Sequence, residues 1–265
     1  MGNKRQNLFI ILAVIFLTNA ILAELIGVKI FSLEQTLRLE PANLDIFGYI
    51  LDFNLTAGVM IWPVVFITTD IINEYFGKSG VRKISFLAVG CITYAFIMIW
   101  LVTKLSPAPF WLDVNSTDPE GNPFNMDFAF NKIYTQGLGI IVGSIIAFLI
   151  GQILDVIVFQ RLRKITGEKM IWLRATGSTL ISQLIDSFVV LAIAFYILAP
   201  AGSRWELSQV FSVGLLNYIY KFMIAIALTP VIYLGHFLID KYLGKEEADR
   251  MKDEASKSGF VAKVK

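Results

Sequence analysis

Seven ionisable side chains interrupt the long apolar stretches of this 265-residue chain: Glu24, Lys29, Asp70, Glu74, Asp155, Asp186 and Lys221. Carboxamides and hydroxyls accompany them at helical spacing. Asp70, Asn73 and Glu74 stand at i, i+3 and i+4 and share one helix face. Gln152 and Asp155 are three apart, with Ser144 and Phe148 extending their stripe, and Thr179, Gln183 and Asp186 repeat the pattern at i, i+4 and i+7. Asn217 and Lys221 are four apart. Carboxylates accept two parallel N–H bonds, carboxamides serve mixed edges, and Trp62, Phe66, Phe148, Tyr218 and Tyr220 are aromatics that could stack on a ring. The set suits recognition of a small polar molecule, and membrane carboxylates also carry protons.

These groups are expensive where they lie. An ionisable residue near the centre of a membrane helix costs about 2.5 to 3.5 kcal/mol, so the set costs on the order of 10 kcal/mol. A chain needing only packing would use leucine. The residues therefore predict a polar cavity lined by Asp70, Asn73, Glu74, Gln152, Asp155, Gln183, Asp186, Asn217 and Lys221. Each also has a structural reading: Asp70 and Glu74 bonded to interface groups, Asp155 paired with Arg161 or Arg163, Lys221 neutralising a carboxylate, Lys29 snorkelling outward. Glu24 and Asn19 are five apart and do not share a face. His236 is read as interfacial.

The elements that must position this chemistry are membrane helices. Apolar residues make up 56% of the chain and charged ones 17%, with a mean hydropathy of +0.66, which leaves too little charge to coat a soluble domain. A hydrocarbon core about 30 Å thick needs roughly 20 helical residues. Six stretches qualify: Leu8 to Phe31, Leu55 to Phe76, Ile84 to Val102, Gly137 to Phe159, Thr176 to Leu198 and Val210 to Leu234. Cleavage of the first as a signal peptide is disfavoured, since Ile21 stands where a small residue would be needed and the stretch runs on to Phe31. Lys and Arg gather at the N-terminus, in the second and fourth connections and in the tail, seventeen against four in the other connections. The expected architecture is an all-α integral membrane protein, a bundle of six transmembrane helices with both termini cytoplasmic. Residues 1–240 form the transmembrane domain, with a long outer loop at 104–136 whose aromatics suit an interface, and 241–265 form a charged, solvated cytoplasmic tail. The repeated Gln-x-x-Asp pattern, Gln152 to Asp155 and Gln183 to Asp186, is expected to face itself across the cavity, while the nearby Gly-Ser pairs read as close helix packing.

Other functions are disfavoured by what is missing. A single Cys91 and a single His236 argue against multi-cysteine and paired-histidine metal sites, so no metal or cofactor is expected. A net charge of +2 gives no reason to expect nucleic acid as a partner. There is no Gly-x-Ser-x-Gly elbow, His-Glu-x-x-His or phosphate-cradling glycine loop, which argues against an enzyme. The mixed charges do not resemble a channel filter. The residues alone lead to a transporter of a small polar solute, with the lipid bilayer as surroundings and a homo-oligomer compatible with the sequence.

Several strings taken together are more specific. Thr69-Asp70…Asn73-Glu74…Gly77, Gly151-Gln152-Ile153-Leu154-Asp155…Phe159…Leu162-Arg163, Ser178-Thr179-Leu180…Gln183…Asp186-Ser187 and Asn217-Tyr218-Ile219-Tyr220-Lys221 resemble the queuosine-precursor transporter family, also called the vitamin uptake transporter family. The resemblance covers roughly residues 8 to 240 and departs from the family pattern in the long outer loop and the charged tail. It implies a multi-pass bacterial inner-membrane importer of 7-cyano-7-deazaguanine and 7-aminomethyl-7-deazaguanine, salvaged for tRNA queuosine. Asp186 or Asp70 would then accept the N–H edge of the ring, with Gln152, Gln183 and Asn217 as further contacts and Lys221 facing the ring carbonyl or balancing the carboxylates. The alternative is a substrate-binding subunit of an energy-coupling-factor vitamin transporter, although the chain has no Ala-Ala-Ala run for docking on a partner.

Overall fold

The computed structural model describes residues 2–135, 138–166, 170–199, 202 and 204–257. Gly137, the expected start of the fourth span, and the tail beyond residue 257 lie outside the described residues. Within them the chain is a helical bundle with five apolar helical stretches long enough to cross a bilayer. Its outward faces are apolar, as at Ile10, Val14, Tyr94, Ile97, Phe211 and Met223, while Asp70, Asn73, Glu74 and Gln183 are buried. A greasy exterior around a polar interior is the signature of a membrane protein.

Helix α1 (Gly2–Ile26) is apolar on every side and buries one stripe, Leu8, Leu12, Phe16, Ala20 and Ala23, at spacings of four and three. It ends five residues before the expected Phe31, because Ile30–Ser32 is extended and pairs antiparallel with Asn54–Thr56. Between these strands lie the short helix α2 (Leu33–Thr36) and a second ribbon, Leu44–Ile46 with Tyr49–Leu51. Phe47 and Gly48, both at positive φ, turn this hairpin in two residues, the geometry that matches strand twist. The connection between the first two spans is thus not helical but a pair of small β-ribbons. Tyr49 bonds Glu206 and Ser208, and Ser212 donates to the Ile46 carbonyl, so the second ribbon is held on the start of the helix at Leu207–Ala227.

A 3-10 turn, Ala57–Met60, leads into α3 (Trp62–Val102), which is one hydrogen-bonded run but not one straight helix. At Gly77 the backbone adopts φ 65° and ψ −168°, a region open essentially to glycine alone. Gln152 shows what this break does. Its Nε2 donates to Thr69 at 3.3 Å, while its Oε1 lies 3.5 Å from the Ser85 hydroxyl. In a straight helix those two residues would be about 24 Å apart, beyond the reach of one carboxamide. The chain therefore folds back at Gly77, and 62–76 and 78–102 run side by side.

Helices α4 (Pro109–Val114) and α5 (Met126–Thr135) occupy the long loop, with Phe110 and Phe128 exposed. Helices α6 (Leu138–Thr166) and α7 (Ile171–Leu191) then pack antiparallel through small residues. Gly143 lies against Val190 and Ile193, Gly151 against Asp186, and Gly177 against Leu162. A π-helical turn, Ala192–Ile197, extends α7.

The expected sixth span breaks near its end. Helix α8 (Leu207–Ala227) gives way at Leu228 to α9 (Thr229–Leu243), where Pro230 has no N–H to continue the ladder. His236 is not interfacial as expected: it is buried against Tyr75, whose hydroxyl lies 3.2 Å from Nδ1. The described part of the tail also differs from a merely solvated segment. Helix α10 (Lys245–Lys257) buries Ala248, Met251 and Ala255, and its outer carboxylates Glu247 and Glu254 grip Arg5 of α1. Lys4 donates to the Tyr242 carbonyl at 3.0 Å, so both ends of the described chain meet at one end of the bundle.

Candidate functional site

The cavity lies where 62–76 of α3 meets α7 and α8. Asp70, Thr179, Gln183 and Lys221 are among its polar lining. Trp62, Phe66 and Tyr220 supply an aromatic wall, and Ile67, Ile224 and Leu228 much of the rest. Trp62 and Phe66, one turn apart on α3, stack at 5.7 Å and 22°. Thr176 closes the lining at the start of α7.

The polar groups here are incompletely satisfied. Asp70, 2% exposed, accepts from the Thr179 hydroxyl at 3.3 Å through Oδ2, while its Oδ1 has no partner. Gln183, 4% exposed, leaves its Oε1 without a partner as well. Unmet acceptors of this kind are costly away from water and are rare unless something fills them. Lys221 Nζ donates to Asp186 Oδ2 at 2.6 Å, so Asp186 balances the cation at the cavity edge.

The other expected site residues are engaged elsewhere. Glu74 forms an ion pair with Arg163 at 3.5 Å, and Arg163 also donates to the Glu74 carbonyl and to that of Lys252. Asn73 accepts from Gln160 at 2.8 Å and leaves its Nδ2 without a partner. Gln152 ties together the two halves of α3. Asp155 stands behind Asp70, beside Ser178, Thr179 and Ser182. Asn217 is half-buried and does not line the cavity. The two Gln-x-x-Asp motifs do not face each other across open space as expected. Small residues bring α6 and α7 into contact, so Gln152 turns to α3 while Gln183 turns to the cavity.

Spacing alone did not point to the Arg163 partnership of Glu74, because Arg163 stands in a basic run that reads as a loop. Nor did it pick out Ile224 and Leu228, which resemble any other span residues. A second, polar opening lies at the end of the bundle where the termini meet, lined by Glu74, Gln160, Arg163, Lys164, Lys252 and Asp253. Among the described residues, no group of three His, Cys, Asp or Glu side chains could hold a metal ion.

Residues 56–235 match the family model described as "Putative vitamin uptake transporter". A "Probable queuosine precursor transporter" of Bacillus subtilis is 29% identical over 75% of this chain and 80% of its own length. One of the same description from Haemophilus influenzae is 30% identical over 68% of each chain. The "Queuosine precursor transporter" of Escherichia coli is 27% identical over 77% of this chain and 83% of its own. No solved structure matches the chain.

Proposed function

The chain belongs to the vitamin uptake transporter family, and on that premise we propose that it imports queuosine precursors, 7-cyano-7-deazaguanine and 7-aminomethyl-7-deazaguanine, across the bacterial inner membrane. The names of its relatives support the solute class. The observation that carries the reading to particular residues is the pair of unpartnered acceptors, Asp70 Oδ1 and Gln183 Oε1, in a cavity walled by Trp62 and Phe66. A deazaguanine is flat and presents an N–H and an amino group on one edge, which a carboxylate and a carboxamide oxygen accept. Its ring carbonyl, an acceptor, suits the Lys221 ammonium. Asp70 fits the N–H edge better than Asp186, whose Oδ2 is occupied by Lys221.

In this reading the fold-back at Gly77 makes the apolar stretches six crossings rather than five, with both termini cytoplasmic, as the basic residues at that end favour. The solute leaves past Asn73 and Glu74 through the polar opening beside Arg163 and Lys252. Binding falls to the groups that line the cavity, and Asp155 makes no contact with the solute.

The test is queuosine in the tRNA of a bacterium unable to make or import the precursor, expressing this chain and given nanomolar 7-cyano-7-deazaguanine. Native chain is expected to restore the modification and Asp70→Asn, at equal membrane abundance, to lose it. No restoration by well-inserted native chain would sink the substrate assignment.

A further inference from the structure

Behind the cavity, two buried carboxyl groups flank one hydroxyl, which bonds only the first of them. Thr179 Oγ1 donates to Asp70 Oδ2 at 3.3 Å, and Asp155, 5% exposed, stands beside the hydroxyls of Ser178, Thr179 and Ser182. Proximity does not satisfy it, because two of those three hydroxyls send their protons elsewhere: Thr179 to Asp70, and Ser182 to the Thr179 carbonyl at 3.0 Å. Both Asp155 oxygens, Asp70 Oδ1 and Gln183 Oε1 are left as buried atoms with no hydrogen-bond partner. All four are acceptors. The site is short of hydrogen atoms, and a proton is the smallest ligand that supplies one.

The surrounding charges do not remove the shortage. Around the pair, α3 presents Glu74, α7 presents Asp186, and α8 presents Lys221. Lys221 is committed to Asp186 at 2.6 Å, and Arg163 of α6 is committed to Glu74 and to backbone carbonyls at the far edge. Neither cation bonds Asp70 or Asp155. Among the described residues no cation bonds either carboxyl group, and two buried carboxylates so placed cannot both stay ionised.

We propose that the Asp70–Asp155 pair holds one exchangeable proton and that this proton travels with the solute, making the chain a proton–solute symporter. The proposal rests on the importer reading above. The solute's N–H donors need Asp70 as a carboxylate, and Asp70 can be one only while the proton sits on Asp155. The transfer balances through Thr179: protonated Asp70 gives its hydrogen to the Thr179 oxygen as Thr179 passes its own hydrogen to Asp155. The hydroxyl is restored and one proton has moved. Release of the proton to the inward side then leaves the carboxylates repelling each other, which resets the pair.

Purified full-length chain in proteoliposomes with neutral 7-cyano-7-deazaguanine tests this. With one proton per solute, an inward proton gradient is expected to raise accumulation by up to about tenfold per pH unit, and adding solute should make the outside more alkaline. Asp155→Asn, a permanently neutral donor, should keep solute counterflow in the absence of a gradient and lose gradient-driven accumulation. Native chain that accumulates solute equally with and without the gradient would overturn the proposal. Infrared spectroscopy supplies a readout that needs no solute: native chain should show a buried protonated carboxyl band at neutral pH that Asp70→Asn or Asp155→Asn removes. Absence of that band overturns the proposal, whereas a band without any counterflow overturns the substrate reading and leaves the proton site standing.

Discussion

Lys221 and Asp186 bond each other at 2.6 Å across the contact between α7 and α8, and both are about one-fifth exposed. The pair gives the cavity its cation without giving it a net charge. Because each ion depends on the other, removing one leaves an uncompensated charge in a poorly solvated place. Lys221→Met is therefore expected to destabilise the protein by about 3 kcal/mol, and the double change with Asp186→Asn to recover most of it. Thermal unfolding in detergent reads both. Solute binding should not recover in the double variant, since nothing then faces the ring carbonyl; equal binding by native and double variant would reduce the pair to a structural neutraliser.

The aromatic wall and the carboxamide should separate on binding. Trp62→Ala removes a stacking surface worth about 1 kcal/mol beyond its buried area and should weaken solute binding at least fivefold. Gln183→Leu removes an acceptor that lacks a protein partner, so the empty protein should lose no stability while affinity falls. Isothermal titration alongside an unfolding curve distinguishes the two effects. Weaker unfolding with unchanged affinity in Gln183→Leu would argue against a solute contact.

Gly77→Ala tests the fold-back. With φ 65° and ψ −168°, the residue occupies a region that a Cβ makes strained by about 1 to 3 kcal/mol. The expected outcome is lower membrane abundance and a lower unfolding temperature. A cross-link between cysteines placed at Thr69 and Ser85 should form in the native background and fade in the variant.

The tail helix should be held by charge and released by acid. Arg5 hydrogen-bonds the Glu247 and Glu254 carboxylates and holds both below the ordinary carboxylate range. A depressed folded value means that the stability is present above the unfolded value of 4.5 and is lost as pH falls below it. Limited proteolysis of α10 should accelerate below that pH in native chain. Arg5→Ala should show the faster cleavage at neutral pH already, and an unchanged rate would mean that the apolar face of Ala248 and Met251 alone holds the helix.

How much of this was legible in the residues depends on the distance over which each was determined. The membrane class followed from composition. Asp70, Gln183 and Lys221 were legible because a polar residue in an apolar helix needs a reason, and helical spacing says which face it takes. The end of the second helix at Phe76 was legible from the basic residues that follow it. What escaped was partnership between distant segments. Arg163 read as a loop charge because its bond to Glu74 spans 89 residues, and no local pattern records that. Gln152 and Gln183 look equivalent in sequence, yet the glycines at 143, 151 and 177 set the α6–α7 contact so closely that one is turned to α3 and the other to the cavity. His236 looked interfacial by position, and its partner Tyr75 lies 161 residues away in the chain.

That fold-back also bears on how the chain is made. The segment 62–76 is about 22 Å long as a helix, short of a hydrocarbon core of about 30 Å. It carries Asp70 and Glu74 and is joined to 78–102 by a single residue. Such a segment is a poor passenger by itself, and its neighbour follows too closely to be handled separately. The two are suited to entering the bilayer as one hairpin, with Lys78, Arg82 and Lys83 just after its turn. Asp70, the acid that lines the cavity, thus has the apolar half of its own hairpin as an immediate neighbour in the chain.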